Sequence, residues 1–103
     1  MKKAVIIEAF NRMSPAEVER ITLLLEECSE VIHVCSKILR HGYASYHPSD
    51  PAGLDNRELL EKELGDVLTA MAFLSQAKDI DMASVSAAAE DKATRVRKYL
   101  HHN

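Results

Sequence analysis

The stretches LLEECSEVI, residues 24–32, and LEKELGDVL, residues 60–68, place acids where an amphipathic helix normally carries hydrocarbon. At about 100° per residue and with Glu27 as zero, Leu23, Leu24, Val31 and Val34 all fall within about 60° of it. Glu27 therefore points into an apolar stripe, and Glu30 stands at the stripe's edge. The ordinary polar face lies elsewhere, at Glu19, Glu26, His33 and Ser36. The second stretch repeats the pattern: Glu63 lies among Leu59, Val67, Ala70 and Leu74, with Asp66 at the edge. A third stretch does so with the opposite charge, because Lys92 is centred among Val85, Ala88, Val96 and Tyr99, with Arg95 beside them.

An unpaired carboxylate costs several kcal/mol to bury, so acids on core faces are paired, protonated or bound to metal. Two Glu-x-x-Glu/Asp pairs on facing helices would bring four carboxylates together, and like charges that close need a cation between them. An all-oxygen donor set suits a hard ion, Mg²⁺ before others, with Mn²⁺ as a substitute. Lys92 and Arg95 add positive charge, and acids, metal and cations together suit a phosphorylated substrate. A core salt-bridge network of Glu27, Glu63 and Lys92 is the rival reading of the same residues.

Working outward, Ser14 followed by Pro15 and Glu17 spells a capped helix start, and Lys37, Arg40, His41 and Gly42 spell its end. A loop rich in turn residues occupies 43–54. Asp55 and Glu58 form a second capping box, opening a helix from Asn56 to about Ala77. Asp79 and Asp81 mark the next turn, and a third helix is expected from Met82 to about Leu100. Residues 3–12 read as either a short helix or a strand.

The 103 residues suffice for a single domain, 1–103, and the expected fold is all-α, three long helices plus a short N-terminal segment. With 13 Lys+Arg against 16 Asp+Glu, the chain lacks the basic footprint of a nucleic-acid binder. No apolar run approaches the ~20 residues of a membrane span, and Met1–Phe10, with Glu8 inside it, makes a poor signal peptide. Cys28 and Cys35 lie seven residues apart on one helix, roughly 10 Å, too far for a disulfide. Two unpaired thiols fit a cytoplasmic protein. On the first helix Ile21, Leu25, Cys28, Ile32, Cys35 and Leu39 add a second apolar arc, wider than one core needs, so a homodimer or larger homo-oligomer is expected.

Glu26-Glu27-Cys28-Ser29-Glu30, a connecting segment and then Glu63-Leu64-Gly65-Asp66 resemble the E-E-x-x-E and E-x-x-D motifs of the MazG-like all-α nucleoside triphosphate pyrophosphohydrolases. The segment KILRHGYASYHP and the basic tail RKYLHH are similar to those of small phage and bacterial members, so the resemblance spans about residues 21–102. It implies a MazG-like helical bundle completed by oligomerisation, as a homodimer or homotetramer. It also implies Mg²⁺-dependent hydrolysis of (d)NTP to monophosphate and pyrophosphate, in control or housecleaning of nucleotide pools. Glu27, Glu30, Glu63 and Asp66 would be metal ligands, Glu26 or Glu30 the proton acceptor, and Lys92 and Arg95 the phosphate-binding cations. The stretch between the two motifs is longer than in many relatives.

Rings at His41, Tyr43, Tyr46 and His47 could meet a base, or could simply anchor the loop. His33 makes a Glu-x-x-His with Glu30, but di-iron bundles need that motif on two helices, and the second helix has Thr69 there. Two alternatives to the nucleotide hydrolase are a non-catalytic helical interaction protein and a MazG-like fold acting on another phosphorylated compound.

Overall fold

A computed structural model describes residues 11–102. Its helices are α1 (Pro15–His41), α2 (Asn56–Gln76) and α3 (Met82–Val96), with a 3₁₀ turn at Arg97–Tyr99. The described residues contain no strand, only one isolated bridge between Tyr46 and Asp55. The short N-terminal element expected over 3–12 lies almost wholly outside them. No described helix is long and apolar enough to cross a membrane.

The helix boundaries follow local chemistry. Both expected capping boxes form: the Ser14 hydroxyl accepts from the Glu17 amide at 3.1 Å while the Ser14 amide donates to Glu17 at 2.7 Å, and Asp55 and Glu58 exchange the same pair of bonds at 2.9 and 3.0 Å. Gly42, at φ 88°, ends α1 in a backbone region costly for residues with a Cβ. The third helix is shorter than expected. It stops at Val96 rather than near Leu100, because Tyr99 and Leu100 remain 76% and 59% exposed and no packing holds the last turn in α geometry.

α1 and α2 pack antiparallel as a hairpin, and α3 has no extended contact with either. The side chains turned inward on α1 are Leu24, Glu27, Val31, Val34 and Ile38; on α2 they are Leu60, Glu63, Val67, Ala70 and Leu74. Each set recurs at alternating intervals of three and four, the repeat of a packed helix seam. The loop is tied across the open end: the buried Asn56 side chain donates to the Gly42 carbonyl at 3.0 Å, and the Asn56 and Arg57 amides donate to the Ser45 and Tyr43 carbonyls. At the other end the Arg20 guanidinium grips both Asp79 oxygens, at 2.5 and 3.1 Å. This pairing raises the Arg20 pKa and holds the Asp79 carboxyl below its usual range.

The protomer is thin. Its extents are 57 × 40 × 23 Å and its radius of gyration is 18.6 Å, against about 13 Å for a compact chain of this length. Its accessible surface is 8380 Å², against about 5,800 Å² for a compact monomer of its mass. Among the described residues only Val34, Asn56, Glu63, Ala70 and Leu74 are buried.

The turn between α2 and α3 is a Schellman closure, with the Asp79 amide donating to the Leu74 carbonyl and the Lys78 amide to that of Ser75. The position that favours glycine is held by Lys78 at φ 65°. Lys78→Gly is therefore expected to raise the unfolding free energy by about 1 kcal/mol, read as a higher midpoint in urea with an unchanged slope.

Candidate metal centre

The antiparallel hairpin sets Glu27 and Glu30 of α1 against Glu63 and Asp66 of α2. One carboxylate oxygen from each of the four lies within 4.8 Å of the other three. Glu63 is buried, Glu27 and Asp66 are half-buried, and Glu30 is exposed at the mouth. Each helix contributes its inward acid and the acid three residues later, so Glu30 and Asp66 turn about 60° off the inward direction. Because the helices are antiparallel, both turn toward the same side of the hairpin, and the quartet opens there.

Four acids so close carry a large uncompensated charge. Glu27 Oε2 and Glu63 Oε2 are both shut off from solvent and receive no hydrogen bond. A buried oxygen without a donor is costly, and a cation placed among the four oxygens would satisfy it. The donor set is entirely carboxylate, which matches Mg²⁺ or Mn²⁺ and offers nothing to a soft metal. The residues present therefore fit a hard divalent ion.

One cation of the chain already serves the quartet in part. Lys62 Nζ lies 3.4 Å from Glu63 Oε1 and 3.3 Å from Asp66 Oδ2, and both contacts raise the lysine pKa. Sequence reasoning passed over Lys62, although its i,i+4 spacing to Asp66 was the available signal. Lys92, the expected partner, is exposed on α3 and makes no ion pair with the quartet. Arg95 is bonded along its own helix to Asp91 at 2.7 Å. The salt-bridge network of Glu27, Glu63 and Lys92 accordingly does not form, and the protomer does not bring Lys92 or Arg95 to the acids.

Glu26 stands outside the quartet, on a surface groove shared with Glu19, Leu23 and Phe73. His33 is not part of the quartet either. It lines a cavity of about 340 Å³ at the loop end of the hairpin, with Lys37, Arg40, His41, Tyr46 and His47. Tyr43 anchors the loop instead, its ring lying under the Arg57 guanidinium at 4.4 Å.

The family model of the MazG nucleotide pyrophosphohydrolase domain matches residues 17–101. The chain belongs to this family. The match takes in both acidic pairs and α3, so the MazG domain accounts for nearly all of the described structure. No curated protein and no solved structure matches the chain significantly.

Glu30 feels the other acids of the quartet. A hydrogen bond with Glu63, then the Glu63 and Glu27 charges, raise its pKa above the ordinary 4.5. The folded, metal-free protein thus binds a proton that the unfolded chain releases, so its stability falls as pH rises from 4.5 through the raised Glu30 value. A divalent ion should reverse that trend. Calorimetry in EDTA and in Mg²⁺ is expected to show a melting-temperature gap that widens with pH. Lys62→Met, which removes a competing cation, is expected to lower the Mn²⁺ dissociation constant several-fold in titration calorimetry.

Proposed function

We propose that this MazG domain hydrolyses nucleoside triphosphates to the monophosphate and pyrophosphate with Mg²⁺, Mn²⁺ substituting, as a homodimer or homotetramer in nucleotide-pool control or housecleaning. The observation that carries this reading is the convergence of Glu27, Glu30, Glu63 and Asp66 around two buried oxygens that have no donor. Membership of the MazG family supports nucleotide hydrolysis.

When bound, Mg²⁺ would cancel triphosphate charge and acidify a water. The chain's residues then divide the work. Glu27 and Glu63, fixed between the helices, hold the charge that draws the ion to the hairpin. Asp66 and Glu30, on the open side, complete the donor set where a polyphosphate can approach. Glu30 is exposed at the mouth of the quartet while Glu26 lies outside it, so Glu30 is the better placed of the two candidate bases. Glu26, outside the quartet, would act at longer range. Lys92 and Arg95 would neutralise the departing pyrophosphate only if α3 of the same or another protomer carries them to the mouth.

A panel of NTPs and dNTPs, incubated with Mg²⁺ or EDTA and resolved by ion exchange, tests the reaction. Monophosphate plus pyrophosphate, formed only with metal, is the expected result. Diphosphate plus phosphate would overturn the cleavage position, and no metal-dependent turnover of any nucleotide would overturn the substrate class. Glu63→Gln and Asp66→Asn are each expected to cut turnover by at least a hundredfold, about 2.7 kcal/mol of barrier, while the helical circular dichroism persists. Normal activity in either variant would remove these acids from the site.

A further inference from the structure

The flank of α1 that carries Glu30 continues toward the loop as a row of nitrogen donors. With Glu27 as zero, Glu30 lies at about −60°, and His33, Lys37, Arg40 and His41 fall between about −40° and −140°. At 1.5 Å per residue they stand about 4 to 17 Å from Glu30 along the helix axis. The row therefore leaves the mouth of the quartet on its open side and runs to the end of the hairpin.

There it walls the cavity of about 340 Å³ that the loop closes with Tyr46 and His47. A space of this size suits a small-molecule ring system. No carboxylate lines it, although the chain has 16 acids. Lys37 is half-buried, and neither it nor Arg40 forms an ion pair among the described residues. His47 is fixed as a donor: its Nδ1 accepts from the Ser49 amide at 3.2 Å, so its proton sits on Nε2.

Asn56 works the other way. It lines the same cavity and is only 3% exposed. Its Nδ2 donates to the Gly42 carbonyl at 3.0 Å, which fixes the amide's orientation and leaves Oδ1 as an acceptor. No described residue donates to that oxygen, and a buried acceptor without a donor is costly. The wall thus combines several donors with one oriented, unused acceptor.

Three occupants can be weighed against that pattern. A metal ion would need the imidazoles to converge, and among the described residues only the acid quartet has such spacing. The outer phosphates of a triphosphate would use Lys37 and Arg40 but would set an anion against the Asn56 oxygen. A nucleobase uses both kinds of group. Lys and Arg pair with the O6 and N7 acceptors of guanine, and guanine's N1–H and N2–H₂ supply donors for an amide oxygen. Adenine presents its N6 amino group where guanine has O6, setting donor against donor. The Tyr46 ring, 51% exposed, offers a face for stacking.

We propose that this cavity is the base pocket of the nucleotide site and that Lys37, Arg40 and Asn56 make it select guanine. This deepens the proposed function and rests on its placing of the phosphates at the acid quartet. With the phosphates beside Glu30, Lys37 stands about 10 Å further along α1, in reach of the base of the same nucleotide.

Titration calorimetry of the Mg²⁺-supplemented protein with GMP, AMP, CMP and UMP tests the proposal without turnover. GMP is expected to bind at least tenfold more tightly than any of the other three. Lys37→Met and Arg40→Met should each weaken GMP about tenfold, leave AMP within twofold, and leave inorganic pyrophosphate unchanged. Circular dichroism should show both variants as helical as the wild type. Equal affinities for the four monophosphates overturn the selection, as does any other base binding best. Equal weakening of all four, or of pyrophosphate, in the variants overturns the base pocket, because the cations then serve phosphate. Absence of measurable GMP binding at millimolar concentration overturns it as well. Failure of the hydrolase reading would instead show as absent turnover with the GMP preference intact.

Discussion

Four carboxylates held within 4.8 Å of one another are the constraint from which the rest of this molecule follows. Mutual repulsion works against the α1–α2 contact, and little hydrocarbon opposes it: Val34, Ala70 and Leu74 are the only buried apolar side chains among the described residues. The hairpin is therefore secured at its ends as well as its middle. Asn56 ties the loop to Gly42 at one end, and the forked Arg20–Asp79 pair closes the other. Lys62 offsets part of the charge, and a divalent ion would offset more. Folding and the binding of such an ion would thus be linked through the same oxygens.

Much of this was legible because helical periodicity is a strong signal. Glu27 and Glu63 declared themselves by interrupting apolar stripes, and Ser14, Glu17, Asp55 and Glu58 announced both helix starts through their spacing. What escaped depends on three dimensions. Lys92 also interrupts a stripe, but periodicity cannot say whether that stripe meets a partner, and in the protomer it does not. Lys62 lay on the polar side of α2, where a lysine attracts no notice, yet its length lets it reach back to two acids. The Schellman turn was hidden because Lys78 occupies a place where glycine would have signalled it. The apolar stripe runs on through Tyr99 and so predicts a longer third helix, while the packing that would sustain it is absent.

The two apolar arcs of α1 bear on how the chain tolerates change. Along α1, one set of positions faces α2, the next residue in each case lies on the second, exposed arc, and charged side chains occupy the remaining flank. Adjacent residues on α1 thus stand in different surroundings, and a substitution that thickens the side facing α2 displaces the helix as a rigid rod. The loop after Gly42, by contrast, lies beyond the helical turns that carry Glu27, Glu30, Glu63 and Asp66.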